Sequence, residues 1–123
     1  LDFVWSLGLL LDPTTGRLWV CYGTYFGNIR LIELNPATGE RAEGNEPIDI
    51  AIDCEATDLI YRDGWYYLLG THGTCCDGVN STYNIVVGRS RNVTALFLSV
   101  LFLTYKSLNI NLLYVIFSDS RVE

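Results

Sequence analysis

Short segments in which apolar and polar residues alternate, separated by turn signals, make up most of this chain. Leu18, Val20 and Tyr22 fall on one face of the clearest segment, and Trp19 and Cys21 fall on the other. This two-residue period is typical of a β-strand. The segments that we predict as strands are residues 17–25, 29–34, 48–53, 56–61, 65–70 and 83–89.

Turn residues separate these strands at regular intervals. Residues 12–16 (Asp-Pro-Thr-Thr-Gly) and 35–39 (Asn-Pro-Ala-Thr-Gly) form two similar turns, in which proline sets φ and glycine tolerates a positive φ. Arg62-Asp63-Gly64 is a strong hairpin signal. Short antiparallel strands without an amphipathic helix predict an all-β sandwich, barrel or propeller.

The pattern changes at residue 95. Residues 95–117 are rich in Leu, Phe, Ile and Val, with Lys106 as the only charge. A membrane span fits this length, but Lys106, Asn109 and Asn111 would lie at its centre, where a charge costs about 3 kcal/mol. We therefore predict an apolar tail over residues 95–123 and no membrane partner.

Composition narrows the partners. The chain has 14 acidic and 8 basic residues, for a net charge of −6, which disfavours nucleic acid because phosphate binding needs clustered Lys and Arg. Eight Tyr, five Phe and three Trp suit strands, and they also suit clefts in which rings stack on sugars. A neutral, polyhydroxylated ligand fits this composition better than a nucleic acid.

The four cysteines, Cys21, Cys54, Cys75 and Cys76, permit three pairings. A bond between Cys75 and Cys76 is strained, because adjacent Cα atoms lie about 3.8 Å apart and unstrained disulfides span roughly 4.4 to 6.8 Å. Neither these cysteines nor His72 shows metal-ligand spacing. We expect no metal and no cofactor, and we interpret His72 as a loop residue near the end of the strand that begins at residue 65.

Glu55 is the candidate catalytic residue. It lies between Cys54 and Ala56, just before the largely apolar hairpin 59–69. An exposed glutamate titrates near pH 4.3, and an acid useful at neutral pH needs that value raised, typically by burial. Glycoside hydrolysis needs such an acid together with a second carboxylate.

The surrounding residues resemble glycoside hydrolase family 43, in its arabinan-degrading branch. The resemblance is carried by residues 44–56, residues 61–69, residues 75–84 (Cys-Cys-Asp-Gly-Val-Asn-Ser-Thr-Tyr-Asn) and residues 88–91. It implies a five-bladed β-propeller that hydrolyses arabinan or a related plant cell-wall polysaccharide with inversion. The chain would hold about two blades, in a family domain spanning residues 8–94.

The resemblance also assigns roles to residues. Glu55 would be the general acid, and Thr24, Tyr25 and Phe26 would line the arabinose subsites. Where the family carries the aspartate that tunes the acid, this chain has Trp5-Ser6-Leu7, and Asp12 belongs to its turn instead. The general base lies a blade earlier in the family and has no counterpart here.

These departures lead us to interpret the chain as a truncated family member that is inactive by itself. The complete parent would be secreted, although this chain shows no signal peptide. One alternative is a non-catalytic carbohydrate-binding propeller piece that keeps the aromatic residues. Another is a small β-domain anchored to a membrane by residues 95–117.

Overall fold

The computed structural model describes residues 7–24, 27–95, 97 and 101–103. These residues form two four-stranded antiparallel sheets, each a simple meander. Sheet 1 consists of β1 (Leu7–Leu11), β2 (Leu18–Gly23), β3 (Asn28–Leu34) and β4 (Ile48–Ile52). Sheet 2 consists of β5 (Glu55–Arg62), β6 (Trp65–His72), β7 (Asn84–Ser90) and β8 (Leu101–Leu103).

The predicted turns lie where the sequence placed them. Residues 12–16 join β1 to β2 and residues 35–39 follow β3, whereas Asp63 and Gly64 join β5 to β6 with φ values of 50° and 79°. Two successive positive φ values are the geometry that matches the twist of an antiparallel pair. The all-β prediction is confirmed, and two open sheets in one chain are consistent with part of a propeller.

The core lies between the two sheets. Trp19 and Cys21 of β2 face sheet 2, as do the buried residues of β3 and β4, because side chains alternate across a strand. The buried residues that form this core are Trp19, Cys21, Ile29, Leu31, Ile50, Ala51, Cys54, Leu59, Tyr66, Leu68, Val86, Val93 and Phe97. Burial of this apolar surface holds the sheets face to face.

The sheets come closest where β1 passes β5. A Cβ atom added to Gly8 would lie 2.7 Å from Cys21 Sγ and 3.0 Å from the Cα of Asp58. Only a residue without a side chain fits between these two elements. Glycine at position 8 therefore lets the first strands of the two sheets pack directly against each other.

Part of the predicted tail contacts the rest of the protein. Phe97 is buried in the core and its N–H donates to Ile50 O at 2.7 Å, and β8 pairs with β7. Residues 96, 98–100 and 104–123 lie outside the described residues, so most of the candidate span 95–117 does too. Within the described residues, no helix is long and apolar enough to cross a membrane. The boundary at residue 94 stays a prediction.

Candidate active site

Glu55 is the first residue of β5, at the end of a sharp connection from β4. Asp53 and Ala56, on either side of it, both have positive φ (58° and 46°), and the pairing of β5 with β6 shifts register between Glu55 and Asp58. Irregularities of this kind concentrate near functional sites, where they direct side chains. The Cys54 N–H donates to Gly27 O at 3.0 Å, which fixes the connection against the loop between β2 and β3.

A pocket of about 270 Å³ opens beside Glu55. Its lining comes from the β2–β3 loop, the β4–β5 connection and the end of β6. The lining residues are Gly27, Asp53, Cys54, Glu55, Thr71, His72 and Gly73. Glu55 is exposed at this pocket, so the described residues do not bury it in the way that typically raises the pKa of a catalytic acid.

Thr71 fixes the backbone under the candidate acid. Glu55 and Thr71 are paired across β5 and β6, and the Thr71 hydroxyl donates to Glu55 O at 3.0 Å. The same hydroxyl is hydrogen-bonded to the Tyr83 hydroxyl. The start of β5 is therefore held by side-chain hydrogen bonds as well as by strand pairing.

His72 and Asp53 form a second polar pair in this pocket. His72 Nε2 lies 3.1 Å from Asp53 Oδ2, and both side chains line the pocket together with Glu55. From the sequence we interpreted His72 as a loop residue near the end of the strand that begins at residue 65; the structure makes it the last residue of β6 and places it in one pocket with Glu55. An imidazole and carboxylates at one polar surface offer hydrogen-bond donors and acceptors of the kind that sugar hydroxyls use. Among the described residues, no group of three His, Cys, Asp or Glu side chains is arranged to hold a metal ion.

Cys54 is buried directly behind the acid. Burial raises the pKa of its thiol to about 11, and the nearby carboxylates of Asp53 and Glu55 contribute to the increase. A thiol with this pKa stays protonated at neutral pH and is a poor nucleophile. Cys54 is therefore a core residue of the site and not a reactive one.

The predicted substrate-binding residues divide between described and undescribed parts. Thr24 is buried, and its hydroxyl accepts a hydrogen bond from the N–H of Asn28 at 3.3 Å, so it stabilises the β2–β3 hairpin. Tyr25 and Phe26 lie outside the described residues. The adjacent Gly27 lines the pocket. The assignment of these three residues to subsites stays a prediction.

Cys75 and Cys76 are bonded to each other, although we expected strain to disfavour this pairing. The backbone accommodates the bond with a left-handed Cys76, at φ 68°. The loop is held by hydrogen bonds between Thr74 and Thr82, and a Cβ atom added to Gly73 would lie 2.5 Å from Thr82 O. Cys21 and Cys54 are free thiols, both buried.

Asp12 has a structural position, as its turn predicted. Its Oδ1 accepts hydrogen bonds from the N–H and hydroxyl of Thr14, and its Oδ2 accepts one from the Tyr66 hydroxyl at 2.6 Å. Burial works to raise the pKa of Asp12, but the hydrogen bonds from Tyr66 and Thr14 outweigh it and lower that pKa overall. Burial, and next the bond to Asp12, raise the pKa of Tyr66. The pair links the first turn of sheet 1 to sheet 2.

Sequence comparison identifies relatives among arabinan-degrading enzymes. Over 87 residues the chain is 36% identical to the extracellular endo-α-(1→5)-L-arabinanase 1 of Bacillus subtilis, covering 68% of this chain and 27% of that protein. Over 98 residues it is 32% identical to an extracellular exo-α-(1→5)-L-arabinofuranosidase of Cellvibrio japonicus, covering 68% and 28%. The chain thus spans less than a third of the length of these relatives. No protein-family model matches it.

Solved structures give the same answer for the fold. The Cellvibrio cellulosa α-L-arabinanase complexed with arabinohexaose superimposes with a TM-score of 0.65 at 30% identity, over 72% of this chain and 33% of that one. A family 43 endo-arabinanase from Bacillus licheniformis superimposes with a TM-score of 0.62 at 32% identity, over 72% and 32%.

The fold and the relatives together define the class of this protein as part of a β-propeller similar to those of the family 43 arabinanases. The predicted family is confirmed: the relatives of this chain, which match about 70% of it, are arabinanases and arabinofuranosidases of glycoside hydrolase family 43. The residues that the sequence analysis missed at the pocket are Gly27, Asp53, Thr71 and Gly73. The only local signal for Asp53 was its position two residues before Glu55.

Proposed function

We propose that this chain forms the general-acid part of an enzyme that hydrolyses arabinan. Glu55 would protonate the glycosidic oxygen of the leaving sugar. The observation that carries the proposal is the position of Glu55, exposed in a polar pocket at the first residue of β5, within a segment related to arabinanases. A carboxyl group in such a position can reach a substrate oxygen from the surface.

The pocket offers a physical basis for binding arabino-oligosaccharides. Asp53, His72 and Thr71 supply polar atoms around Glu55, and a furanose ring has hydroxyl groups that can hydrogen-bond to them. A structural neighbour is complexed with arabinohexaose, which supports this class of ligand. Thr24, Tyr25 and Phe26 would extend the binding surface along the neighbouring loop. We also propose that the complete parent is secreted, since the sequence relatives are named as extracellular.

Inverting hydrolysis requires a second carboxylate about 6.5 to 9.5 Å from the acid, with room for a water molecule between them. Asp53 is the other carboxylate that lines the described pocket, and it is engaged by His72. The family's base and acid-tuning aspartate have no counterpart in the sequence. We therefore propose that this chain binds substrate without turning it over, and that turnover needs the missing carboxylates.

A chimera tests the role of Glu55. Residues 8–94 would replace the homologous segment of the Bacillus subtilis arabinanase, which supplies the other carboxylates. We expect hydrolysis of linear arabinan, and we expect Glu55→Gln to lower its rate by about 10²- to 10⁴-fold, the usual contribution of a general acid. Glu43→Gln, in an exposed loop, is the matched control.

The leaving group distinguishes an acid from a residue that only maintains structure. An aryl arabinofuranoside whose phenol departs without protonation should be hydrolysed by the Glu55→Gln chimera nearly as fast as by its parent. An equal loss on arabinan and on the activated substrate would contradict the proposed role, as would full activity on arabinan.

The second candidate is a binding module without catalysis, which is favoured by a polar pocket that holds a candidate acid without the family's base. The 123-residue chain would be titrated with arabinohexaose by calorimetry, and reducing ends would be measured in parallel. Binding without product formation supports this candidate for the chain by itself. Release of product, lost in Glu55→Gln, would show that the chain is itself an enzyme.

A further inference from the structure

Sheet 1 has a second face that points away from the core and is apolar. Leu7, Leu9 and Leu11 of β1 are 63%, 58% and 62% exposed, although alternate positions of the strands beside them are buried. Their partners across β2 continue the same face, and β3 and β4 extend it. We call this surface outer face 1, and its apolar members are Leu7, Leu9, Leu11, Leu18, Val20, Tyr22, Ile32, Leu34 and Ile52.

Sheet 2 has a comparable face on its far side. Val87 forms a small cluster there with Ile60, Tyr67 and Leu69, separate from the main core. Ile85, on the same face, is 39% exposed. We call this surface outer face 2, and its apolar members are Ile60, Trp65, Tyr67, Leu69, Ile85 and Val87. Apolar surfaces as continuous as these two are typical of interaction sites.

The charge distribution does not oppose contact between these faces. The chain has a net charge of −6, yet the charged residues on outer face 1 are Arg30 and Asp49, which pair with each other at 3.0 Å. Outer face 2 carries Asp58 and Arg62 of β5 and Arg89 of β7, which lie opposite Leu69, Trp65 and Tyr67. Arg89 and Arg91 lie over the Trp65 ring at 4.4 Å and 3.8 Å. A neutral ion pair on one face and charges of both signs on the other give no strong like-charge repulsion across the contact.

The packing of sheet 1 on sheet 2 within the chain is an example of the contact that these outer faces could make. The inner face of sheet 1 packs on the inner face of sheet 2, with β1 beside β5 and Gly8 at the point of closest approach. Repeating the same step from one copy to the next would set outer face 2 of one chain on outer face 1 of another. In both cases an apolar four-stranded sheet stacks on its neighbour.

We propose that this chain associates head to tail with further copies of itself, through outer face 2 of one copy and outer face 1 of the next. The contact is heterologous, so it propagates unless the rotation between copies closes a ring. The structural neighbours are five-bladed β-propellers, so the stacking of one sheet on the next is the packing that this fold repeats. A second copy would supply the next sheet in the same stack.

The test blocks one face at a time with a lysine. Leu9→Lys lies on outer face 1 and Tyr67→Lys on outer face 2, and Ala37→Lys, in an exposed turn, is the control. Sedimentation velocity over a range of concentrations should show wild type and the control growing in mass with concentration. Each blocked variant by itself should stay at 13.8 kDa. Far-UV circular dichroism establishes that each variant is folded, and Leu11→Lys and Ile85→Lys replace any that is not.

Mixing the two blocked variants is the decisive measurement. Leu9→Lys keeps outer face 2 and Tyr67→Lys keeps outer face 1, so an equimolar mixture should form a species of two chains and stop there. Association of Tyr67→Lys by itself would show a symmetric contact through outer face 1 and overturn the proposal. A wild type that is monomeric at every soluble concentration would also overturn it, because these faces would then be for another partner or for none.

If the wild type precipitates, solubility gives the same answer. Open-ended growth needs both faces, so either lysine variant should dissolve and the control should not. Precipitation of both blocked variants to the wild-type extent would contradict head-to-tail contact.

Discussion

The hydrogen bond from the Tyr66 hydroxyl to Asp12 Oδ2 should contribute strongly to the contact between the two sheets, and Tyr66→Phe removes it together with the contact between the Tyr66 and Thr14 hydroxyls at 3.3 Å. The Tyr66 hydroxyl oxygen and Asp12 Oδ2 lie 2.6 Å apart, and the two residues are 54 positions apart in the sequence. Asp12 is 1% exposed. Hydrogen bonds to charged groups contribute about 1.5 to 3 kcal/mol to stability. In the variant, Thr14 still satisfies Oδ1, but Oδ2 loses its donor.

We expect Tyr66→Phe to lower the free energy of unfolding by about 2 kcal/mol at pH 7. Urea unfolding would be followed by tryptophan fluorescence at low protein concentration, since Trp19 belongs to the same core as Tyr66. The matched control is Tyr67→Phe, one residue along the strand and on the opposite face. Its cost should be small, because in the described part of the chain no hydrogen bond is made by the Tyr67 hydroxyl.

The pH dependence of the free energy of unfolding tests how much of this hydrogen bond depends on the charge of Asp12. The pKa of Asp12 is lowered in the folded protein, so its contribution is complete above the unfolded value of about 3.9 and is lost as the pH falls through the folded value. The difference between wild type and Tyr66→Phe should therefore shrink in acid, towards the roughly 1 kcal/mol of a neutral hydrogen bond. Equal losses in the two phenylalanine variants, or a difference independent of pH between 7 and 3, would refute this reasoning.

Three further predictions follow from the packing. At pH 8 a thiol with a pKa of about 11 is ionised to about one part in a thousand, so iodoacetamide should leave Cys54 and the buried Cys21 unmodified in the native protein. In urea without reductant, two thiols per chain should react with iodoacetamide. Reaction of four thiols would contradict the disulfide between Cys75 and Cys76. Gly8→Ala should lower the free energy of unfolding by about 1 to 3 kcal/mol, because the added methyl group overpacks the contact between the sheets. Leu9→Ala removes more atoms but lies on the exposed face, so its effect should be smaller. Urea unfolding that ranks the two variants in the opposite order would refute the close approach at Gly8. Gly73→Ala should displace the loop at the pocket, because its Cβ would lie 2.5 Å from Thr82 O and its φ is 102°. The affinity for arabinohexaose, measured by calorimetry, should therefore fall. An unchanged affinity would show that this loop does not contribute to the binding site.

Some of the site was readable from local sequence. The Asp-Gly hairpin at residues 63–64 and the turn at 12–16 were predictable because their conformations depend on a few adjacent residues. Glu55 was identified by its neighbours and by resemblance. The pairs that complete the picture were not predictable in this way, because His72 and Asp53 are 19 positions apart and Tyr66 and Asp12 are 54 apart.

The first strand shows the limit of the hydrophobic pattern. Leu9-Leu10-Leu11 in β1 has no alternation, because both of its faces carry apolar residues, and it was not predicted as a strand. A two-residue period of apolar and polar residues identifies a strand that has one face exposed to solvent. A strand in a sheet that is apolar on both faces does not show this period.

The sequence by itself determined six of the eight strands, the tight turns, the family and the identity of the candidate acid, since each depends on residues close together in the chain. The tertiary structure decided which distant side chains share a pocket, which cysteines are bonded and which apolar faces point away from the core that the described residues form. These depend on how two sheets stack, and stacking is set by the summed packing of many residues, of which local sequence carries only a part.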